Sequence, residues 1–335
     1  MLRLGKITEN ALKRSVLKEI SLNRDICVIS PNVGEDASVL KINAAEELAV
    51  TTDVVSISCC NVGEVLVTKG VNNLSVQGAE PICINLSVLL PIDEDEKTLK
   101  KIIRDAEKTA KRYRVQISGG HTEITGAVNN PVVTGTTIGK IKDKGPIITG
   151  GVKPGNDIIL TKWVGLEGTA LIVNEKKNEL YKLFPASFIE TAALFGEYTC
   201  VKEEADIAYD YGVNAMKDVS SGGIFGTLWE MAEASNVGLD IDLMSIPIRQ
   251  ETIEICEVYG VNPYQLLSGG SLILACDNGD ELIEKMKEVG IPAVKIGTAN
   301  SSSNRLIHND DEIRFLDMPM SDEILKIFNN PKIGG

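Results

Sequence analysis

Apolar residues along the first 145 positions follow the two periods typical of strands and helices. Runs of alternating or continuous apolar character predict strands at 37–42, 47–52, 81–90, 115–118 and 132–141. Apolar residues at helical spacing predict helices at 8–20, 63–78 and 94–114. This order predicts an α+β sheet with its helices on one face. The other face then needs a dimer partner or a second domain to bury it.

A second α/β unit is predicted after residue 150. The segment 142–156 is rich in Gly, Pro and Lys and predicts a boundary between domains at 1–145 and 150–335. Beyond it the pattern alternates between predicted strands at 157–161, 238–242, 265–276 and 292–299 and predicted helices at 224–235, 249–259 and 280–289.

Composition narrows the class of protein. The 335 residues carry a formal net charge of -13, which opposes binding to nucleic acid or anionic lipid. The longest apolar run, 81–92, is too short to span a bilayer, and the N-terminus lacks an apolar signal segment, so we expect a cytoplasmic protein. The seven cysteines form no CxxC pair, which favours buried reduced thiols over a zinc site. A redox-active Cys59-Cys60 pair is the alternative.

Two aspartates follow a similar pattern at strand ends. Asp36 opens the predicted strand at 37–42 and Asp53 closes the one at 47–52, so both carboxylates are expected near one end of a sheet. Hard oxygen ligands of this kind suit Mg²⁺ carrying a polyphosphate. The alternative is that both aspartates cap turns.

Three further stretches contain candidate polar groups. Asn72 and Asn73 are poor helix formers inside a predicted helix, so they have either a specific role or solvent exposure. Gly119, Gly120 and His121 are predicted to form a loop after the strand at 115–118, where His121 is either catalytic or structural.

The third stretch is the segment 217–223, KDVSSGG, which precedes a predicted helix. Asp218 and Gly222 there could hold phosphate and its metal at free N–H groups, or the segment could be an ordinary helix cap.

Several common active-site motifs do not occur. The sequence contains no GxxxxGK[ST] P-loop, no GxGxxG after a strand and no GxSxG. The absence of GxSxG and the presence of only two histidines, His121 and His308, disfavour a serine-hydrolase triad.

Six segments in order resemble the aminoimidazole ribonucleotide (AIR) synthetase superfamily: GEDASVL, TTD, VNNLSVQGAEP, SGGHTE, GTTIG and DVSSGGIFGTL. The resemblance covers about residues 5 to 316 and is strongest to the hydrogenase-maturation protein HypE and its relatives. It implies an N-terminal domain that forms a homodimer through its sheet, a C-terminal α/β domain, and ATP with Mg²⁺ in a cleft between them.

The resemblance also assigns roles to individual residues. It implies that Asp36, Asp53 and Asp218 bind the metal, that Gly119, Gly120 and Gly222 lie beside the phosphates, and that His121 and Asp218 are the catalytic candidates. Asn73 is also expected at the cofactor site, but it stands where many members have Asp, and an amide can coordinate a metal only through its neutral oxygen. His121 stands where the kinase-like members have Asp, which disfavours a thiamine-monophosphate kinase.

The resemblance implies an ATP-dependent enzyme that activates an amide or carbonyl oxygen by phosphoryl transfer, with a maturation protein as a possible partner. HypE proteins end in a cysteine that carries the substrate, whereas this sequence has Gly334 at that place. A thiol is required for that covalent chemistry. The alternative, from another class, is a nucleotide-binding scaffold dimer without chemistry.

Overall fold

The chain divides into two compact units. Unit 1 consists of Met1–Ser75 and Ala79–Gly145, and unit 2 of Val76–Gly78 and Pro146–Gly335. The computed structural model describes residues 5–6, 13–22, 24, 27–29, 39–40, 47–56, 61–317 and 322–328.

Unit 1 contains a five-stranded mixed sheet. The described strands are β1 (Gly5–Lys6), β2 (Cys27–Ile29), β3 (Val39–Leu40), β4 (Leu48–Val55), β5 (Ala79–Leu90), β6 (Gln116–Ile124) and β7 (Val132–Ile141), and the helices are α1 (Val62–Val76) and α2 (Glu96–Tyr113). The sheet order is β1-β6-β5-β7-β4, with β5 and β6 parallel and the other pairs antiparallel. Strands β2 and β3 pair separately.

Both helices of unit 1 lie on the same face of this sheet. Leu66 of α1 packs over Gly135 of β7, and Gly63 of α1 lies against the backbone of Ile102 in α2. Along β7 the residues facing the helices are buried and those between them are partly exposed. The predicted α+β layer with its helices on one face is confirmed.

The opposite face of the sheet is open in unit 1. On β4, Leu48, Val50 and Val54 are 38%, 59% and 54% exposed. They point away from the helices, since Ala49 and Val55 on the other side of the same strand are buried. An apolar row of this kind on a strand face is a candidate contact surface.

Strand β6 is longer than the sequence pattern predicts. Residues 119–123, predicted as a loop, continue the strand to Ile124 and pair in parallel with β5, so the loop prediction is wrong. The reason is tertiary: the twelve residues of β5 offer backbone partners along their whole length. A side chain at Gly120 would overlap the carbonyl oxygen of Leu86, which explains a glycine inside a strand.

The N-terminal segment differs from the predicted helix at 8–20. Residues 13–15 are helical, Leu17–Glu19 form a 3-10 turn, and Ile20 is extended. The first half of the predicted helix and most of the predicted strand at 37–42 lie outside the described residues. Ion pairs from Arg14 to Glu96 and from Arg104 to Glu19 hold this segment on α2.

Unit 2 contains a seven-stranded sheet in the order β14-β13-β10-β12-β8-β11-β9. Its described strands are β8 (Asp157–Thr161), β9 (Ala215–Asp218), β10 (Gly238–Asp242), β11 (Leu272–Cys276), β12 (Ala293–Asn300), β13 (Arg305–Asn309) and β14 (Glu312–Phe315). Its described helices are α3 (Leu166–Leu180), α4 (Ala186–Ala193), α5 (Lys202–Tyr211), α6 (Gly223–Ser235), α7 (Gln250–Tyr259), α8 (Gly279–Glu288) and α9 (Ile324–Phe328).

The central strands β8 and β11 of the unit 2 sheet are buried on both faces. Ile158 of β8 belongs to a cluster with Leu228 of α6, while Ile159 belongs to a separate cluster with Ala208 of α5 and Leu282 of α8. Burial on both sides explains why β8 is continuously apolar rather than alternating.

Two features of unit 2 differ from the sequence pattern. The predicted strand at 265–276 is shorter, because Pro263–Gln265 form a 3-10 turn and 266–271 a loop before β11. The sequence pattern does not predict the strands β9, β13 and β14. Among the described residues, no helix is both long enough and apolar enough to cross a bilayer.

Candidate functional site

Asp53 and Asn73 contact each other on the helix side of unit 1. The amide nitrogen of Asn73 donates to both carboxylate oxygens of Asp53, at 3.0 and 2.9 Å, and lies 3.2 Å from the hydroxyl oxygen of Thr51. Alternate residues of a strand share a face, so β4 presents Thr51 and Asp53 together to α1. The structure thus brings together two of the predicted site residues.

The paired asparagines of α1 are not solvent-exposed, so that alternative is wrong. Asn72 is 2% exposed, and Asn73 is partly buried beside Asp53. A polar residue that fits a helix interior poorly is retained here by a charge-assisted hydrogen bond. Thr51 is not among the predicted site residues, although it lies two positions before Asp53 on the same face of β4.

The donor set at Asp53 fits Mg²⁺. A carboxylate is the hard oxygen ligand that Mg²⁺ prefers, and one or two carboxylates suffice beside water and phosphate. Asn73 presents its NH₂ group to these oxygens, so a cation there requires the amide turned over, with its oxygen toward the metal. Across the described part of the chain no group of three or more His, Cys, Asp or Glu side chains could hold a metal ion. Asp36 lies outside the described residues.

His121 lies on the other face of the same sheet. It is on β6, opposite Ser87 of β5, and its ring nitrogen Nε2 is 3.3 Å from the Glu123 carboxylate. Both side chains are exposed on the open face. The structure therefore does not bring His121 to Asp53 within unit 1.

Gly119 and Gly120 belong to the ladder between β5 and β6. Gly119 is opposite Asn85 and Gly120 opposite Leu86. Because their backbone is part of a strand, the predicted loop is wrong, while their position beside the phosphates stays a prediction.

In unit 2, Asp218 is the last residue of β9 and directly precedes the turn into α6. It is 6% exposed and pairs in register with Leu272 of β11. Gly222 and Gly223 follow with φ of 81° and 64°, a left-handed conformation that favours glycine. A side chain at Gly223 would also overlap the carbonyl oxygen of Tyr264.

The N–H of Gly222 is not free, which corrects the expectation of open N–H groups at this turn. It donates to Oδ2 of Asp322 at 2.7 Å. The alternative of an ordinary side-chain cap is not observed either, since the N-cap residue of α6 is Gly222 and makes no side-chain hydrogen bond. A carboxylate one hundred positions away in the chain occupies the end of this helix.

One loop connects this turn to the start of α3. The hydroxyl of Ser268 accepts the N–H of Gly165 at 2.7 Å, and the carbonyl of Leu267 accepts the N–H of Gly168 at 2.8 Å. The carbonyl of Ser271 accepts the N–H of Val219 at 2.9 Å. The loop 266–271 therefore positions two helix N-termini. Sequence reasoning missed Ser268 and Asp322, since nothing local distinguishes either of them.

Cys83, Cys200, Cys256 and Cys276 are free thiols. Cys83, Cys256 and Cys276 are buried, as expected, whereas Cys200 is only partly buried. Burial raises the pKa of Cys256 to about 12 and that of Cys276 to about 11, so neither is a thiolate near neutral pH. Cys59 and Cys60 lie outside the described residues.

Comparison with known proteins assigns the class. Residues 34–141 match the model of the AIR synthase related protein, N-terminal domain, and residues 153–309 match that of the AIR synthase related protein, C-terminal domain. The chain is thus a two-domain α/β protein of the AIR synthase type. It belongs to the AIR synthase related family, in which HypE and hydrogenase expression proteins are among its relatives.

Three relatives are informative. The chain is 27% identical to a putative hydrogenase expression/formation protein of Methanocaldococcus jannaschii, covering 96% of this chain and 97% of the relative. It is 25% identical to the carbamoyl dehydratase HypE of Rhodobacter capsulatus, over 73% and 72% of the two chains. A thiamine-monophosphate kinase of Pyrococcus horikoshii is 29% identical over 67% of this chain and 70% of the kinase.

A solved structure has the same fold. The hydrogenase maturation protein HypE in complex with ATP superposes with a TM-score of 0.74 at 20% identity, covering 94% of this chain and 96% of HypE. At that identity the likeness establishes the fold.

Proposed function

We propose that this chain is a HypE-like, ATP-dependent enzyme of hydrogenase maturation that activates an amide or carbonyl oxygen by phosphoryl transfer. The relatives named as HypE and as a hydrogenase expression/formation protein support the process, and the ATP complex of a protein with this fold supports the cofactor. The observation that carries the proposal is the Asp53 carboxylate, held by Asn73 on the helix side of the sheet.

Asp53 is the proposed Mg²⁺ ligand in the described part of unit 1, and Asp36 is the proposed second ligand. When bound, Mg²⁺ neutralises charge on the phosphates of ATP and orients them. Asn73 holds the carboxylate of Asp53 in one orientation in the absence of metal, and metal binding requires its amide to turn over so that the amide oxygen faces the cation. Phosphoryl transfer requires mostly positioning and electrostatic stabilisation, so a fixed carboxylate of this kind suits it.

In unit 2, Asp218 and the turn at Gly222 are the proposed phosphate-side groups. The left-handed residues Gly222 and Gly223 form the turn at the N-terminus of α6. This helix has thirteen residues, and the positive end of its dipole favours an anion. Asp218 is buried next to this turn and is the proposed catalytic acid or base on this side. His121 was the other catalytic candidate, and its place on the open face argues against a shared site with Asp53 in one chain.

The proposed partners are a second copy of the chain and a maturation protein. The apolar row Leu48, Val50 and Val54 on the open face supports pairing of two N-terminal units. The hydrogenase expression relative supports a partner from the maturation system.

Two alternatives remain testable. If the chain is a nucleotide-binding scaffold, ATP binds without turnover. The observation that favours a scaffold is the amide of Asn73, which stands in place of a second carboxylate. In a thiamine-monophosphate kinase, turnover depends on that substrate, and the Pyrococcus horikoshii relative is the observation that favours it.

Calorimetric titration of ATP with and without Mg²⁺, followed by phosphorus NMR of the same samples, tests the proposal. We expect Mg²⁺-dependent binding and slow release of ADP or AMP in the wild type. Asp53→Asn should weaken binding at least about tenfold and remove most turnover, as loss of a metal-site group does. The matched control is Asp93→Asn, an exposed aspartate of unit 1. Wild-type turnover by Asp53→Asn would contradict the assignment, and tight binding with intact ATP would favour the scaffold.

Adding thiamine monophosphate to the same samples distinguishes a thiamine-monophosphate kinase from the proposed maturation enzyme. If ADP is released only when this compound is present, the chain is a thiamine-monophosphate kinase and the maturation proposal is wrong. Unchanged turnover would exclude the kinase.

A further inference from the structure

Strand β14 is the terminal strand of the unit 2 sheet within the described residues. In this part of the chain it pairs with β13 alone, and all four of its residues are exposed. Proteins usually protect such an edge with Pro, Lys or a bulge. Strand β14 has none of these, and only its short length and the charges of Glu312 and Arg314 oppose the addition of a further strand.

The backbone groups of Ile313 and Phe315 point outward from this edge. The N–H of Leu316, directly after β14, donates to the carbonyl of Arg305 in β13 at 2.8 Å. Backbone groups alternate in direction along an antiparallel strand, so those of Arg314 face β13 as well. Ile313 and Phe315 then present two N–H donors and two carbonyl acceptors to the outer side. A partner strand in register can pair with all four groups.

The side chains of Ile313 and Phe315 form an apolar row on one face of the strand. They are 63% and 64% exposed. Arg314, between them, points to the opposite face, where its guanidinium carbon lies 5.5 Å from the ring centre of Phe225 in α6. The apolar row therefore lies on the face of the sheet that α6 does not cover, and a partner strand would extend this face.

The surface beside the apolar row is acidic. Residues 310–312, Asp-Asp-Glu, follow β13 and are all exposed. Asp242 at the end of β10 is also exposed, and it lies on the same face as Ile313, since Asp242 is opposite His308 and His308 is opposite Ile313. The segment 310–317 carries four acidic residues and one basic residue. This edge thus attracts positive charge.

Charge distinguishes between the possible occupants of the β14 edge. A second copy of the chain would bring an identical acidic segment and a second formal net charge of -13, and like charges on facing strands are destabilising. A basic segment is attracted instead, because complementary charge across an interface selects the partner and its register. The residues opposite Ile313 and Phe315 must be apolar, since cross-strand neighbours pack on one face.

We propose that β14 is a docking edge for an extended, basic segment of another protein, which adds to the unit 2 sheet as a further strand. Its residues opposite Ile313 and Phe315 are apolar, and its Lys or Arg side chains lie beside residues 310–312. This edge extends the proposed function, in which a protein partner is expected, by the surface and the chemistry of that partner. It does not require turnover of ATP.

A synthetic peptide of alternating lysine and valine, acetyl-KVKVKVKV-amide, serves as the basic strand. Its binding to the full chain is measured by calorimetry without nucleotide, so the result is independent of the proposed ATP chemistry. Two N-methylated peptides, one methylated at every Val and one at every Lys, keep the charge but each lose the N–H donors of one strand edge. We expect saturable binding of the unmodified peptide and binding at least about tenfold weaker for one of the methylated peptides. Equal binding of all three would show attraction by charge alone and overturn the proposal.

Ile313→Lys tests the edge from the side of the chain. It should weaken binding of the unmodified peptide at least about tenfold, because it removes an apolar contact and places an ammonium group beside a basic strand. Ile148→Lys is the matched control, since Ile148 is likewise an isoleucine of unit 2 and is 61% exposed. It should leave the affinity unchanged. Both variants should melt like the wild type, as substitutions at exposed positions usually do. Equal weakening in the two variants would overturn the proposal.

Hydrogen exchange of single amides locates the bound peptide. The peptide should slow exchange at Ile313 and Phe315 several-fold, whereas Arg314, whose N–H already faces β13, should change little. Exchange that is unchanged at both residues in the saturated complex would overturn the β14 edge as the binding surface.

Sedimentation equilibrium of the wild type and Ile313→Lys tests the other occupant. If Ile313→Lys reduces self-association and the peptide does not bind at millimolar concentration, a second copy occupies this edge and the proposal of a basic partner is wrong. Absence of peptide binding with unchanged self-association would overturn it as well.

Discussion

Asp53 and His121 lie on opposite faces of one sheet. Asp53 of β4 pairs with Gly135 of β7, Gly135 pairs with Leu86 of β5, and Leu86 pairs with Gly120 of β6. These four residues form one row across the sheet. His121 is the residue after Gly120 on β6 and so does not belong to that row. A shift of one residue along a strand reverses the face of its side chain. Asp53 therefore points toward the helices and His121 toward the open face.

The first prediction concerns His121. His121→Gln should change the dissociation constant of MgATP by less than about twofold, because residues without shared contacts act independently. Calorimetric titration of ATP with and without Mg²⁺ measures this dissociation constant. Asp53→Asn is the comparison variant, which should lose affinity for MgATP. A loss in His121→Gln as large as that in Asp53→Asn would mean that the open face takes part in nucleotide binding.

The positions of Asp53 and His121 show what could be predicted from the sequence. The α+β layer, the helix α1 and the acidic residue at 53 follow from local pattern. The length of β6 does not, because the glycines at 119 and 120 indicate a turn, and only pairing with β5 keeps them extended. The contact between Asp322 and Gly222 joins residues one hundred positions apart, and no periodicity reports such a pair.

A second prediction concerns the amide beside Asp53. Asn73→Asp would place a second carboxylate about 3 Å from the first and remove a hydrogen bond to a charged group, which typically contributes about 1.5–3 kcal/mol. We expect the free energy of unfolding without metal to fall by about that amount at neutral pH. Mg²⁺ should then raise the melting temperature of this variant more than that of the wild type.

Thermal unfolding with chelator and with excess Mg²⁺ measures both effects. Asn72→Asp is an unsuitable control because Asn72 is buried. Asn129→Asp, at an exposed asparagine between β6 and β7, adds the same charge outside the contact with Asp53. An equal Mg²⁺ response in the wild type and Asn73→Asp would argue against a metal at this carboxylate.

A third prediction concerns the open face of the unit 1 sheet. Val50 is 59% exposed in the centre of β4. If two copies pair through this face, Val50→Lys buries an unpaired ammonium group and should weaken self-association at least about tenfold. Sedimentation equilibrium of the wild type and the variant measures it. Val289→Lys, at a 50% exposed valine of unit 2, is the matched control and should self-associate like the wild type. Equal association of all three proteins would exclude this face as the dimer contact.

The last prediction is the pH dependence of the N-terminal segment 13–22. The Arg14 guanidinium donates to both carboxylate oxygens of Glu96, at 2.8 and 2.6 Å, and this holds the pKa of Glu96 below its ordinary value of 4.5. Arg104 likewise lowers the pKa of Glu19. A carboxyl with a lowered pKa in the folded state contributes stability above its ordinary pKa and loses it as pH falls toward the folded value.

We therefore expect the segment to stay docked on α2 at neutral pH and to become less protected as the pH falls below 4.5, the ordinary value of Glu96. Hydrogen exchange of peptides covering 13–22, compared with peptides from the buried strand β5, follows this directly. Glu96→Gln should reproduce the acid state at neutral pH, since it removes the charge that Arg14 contacts. Protection of 13–22 that is independent of pH, in a chain whose β5 remains protected, would show that these ion pairs do not hold the segment in place.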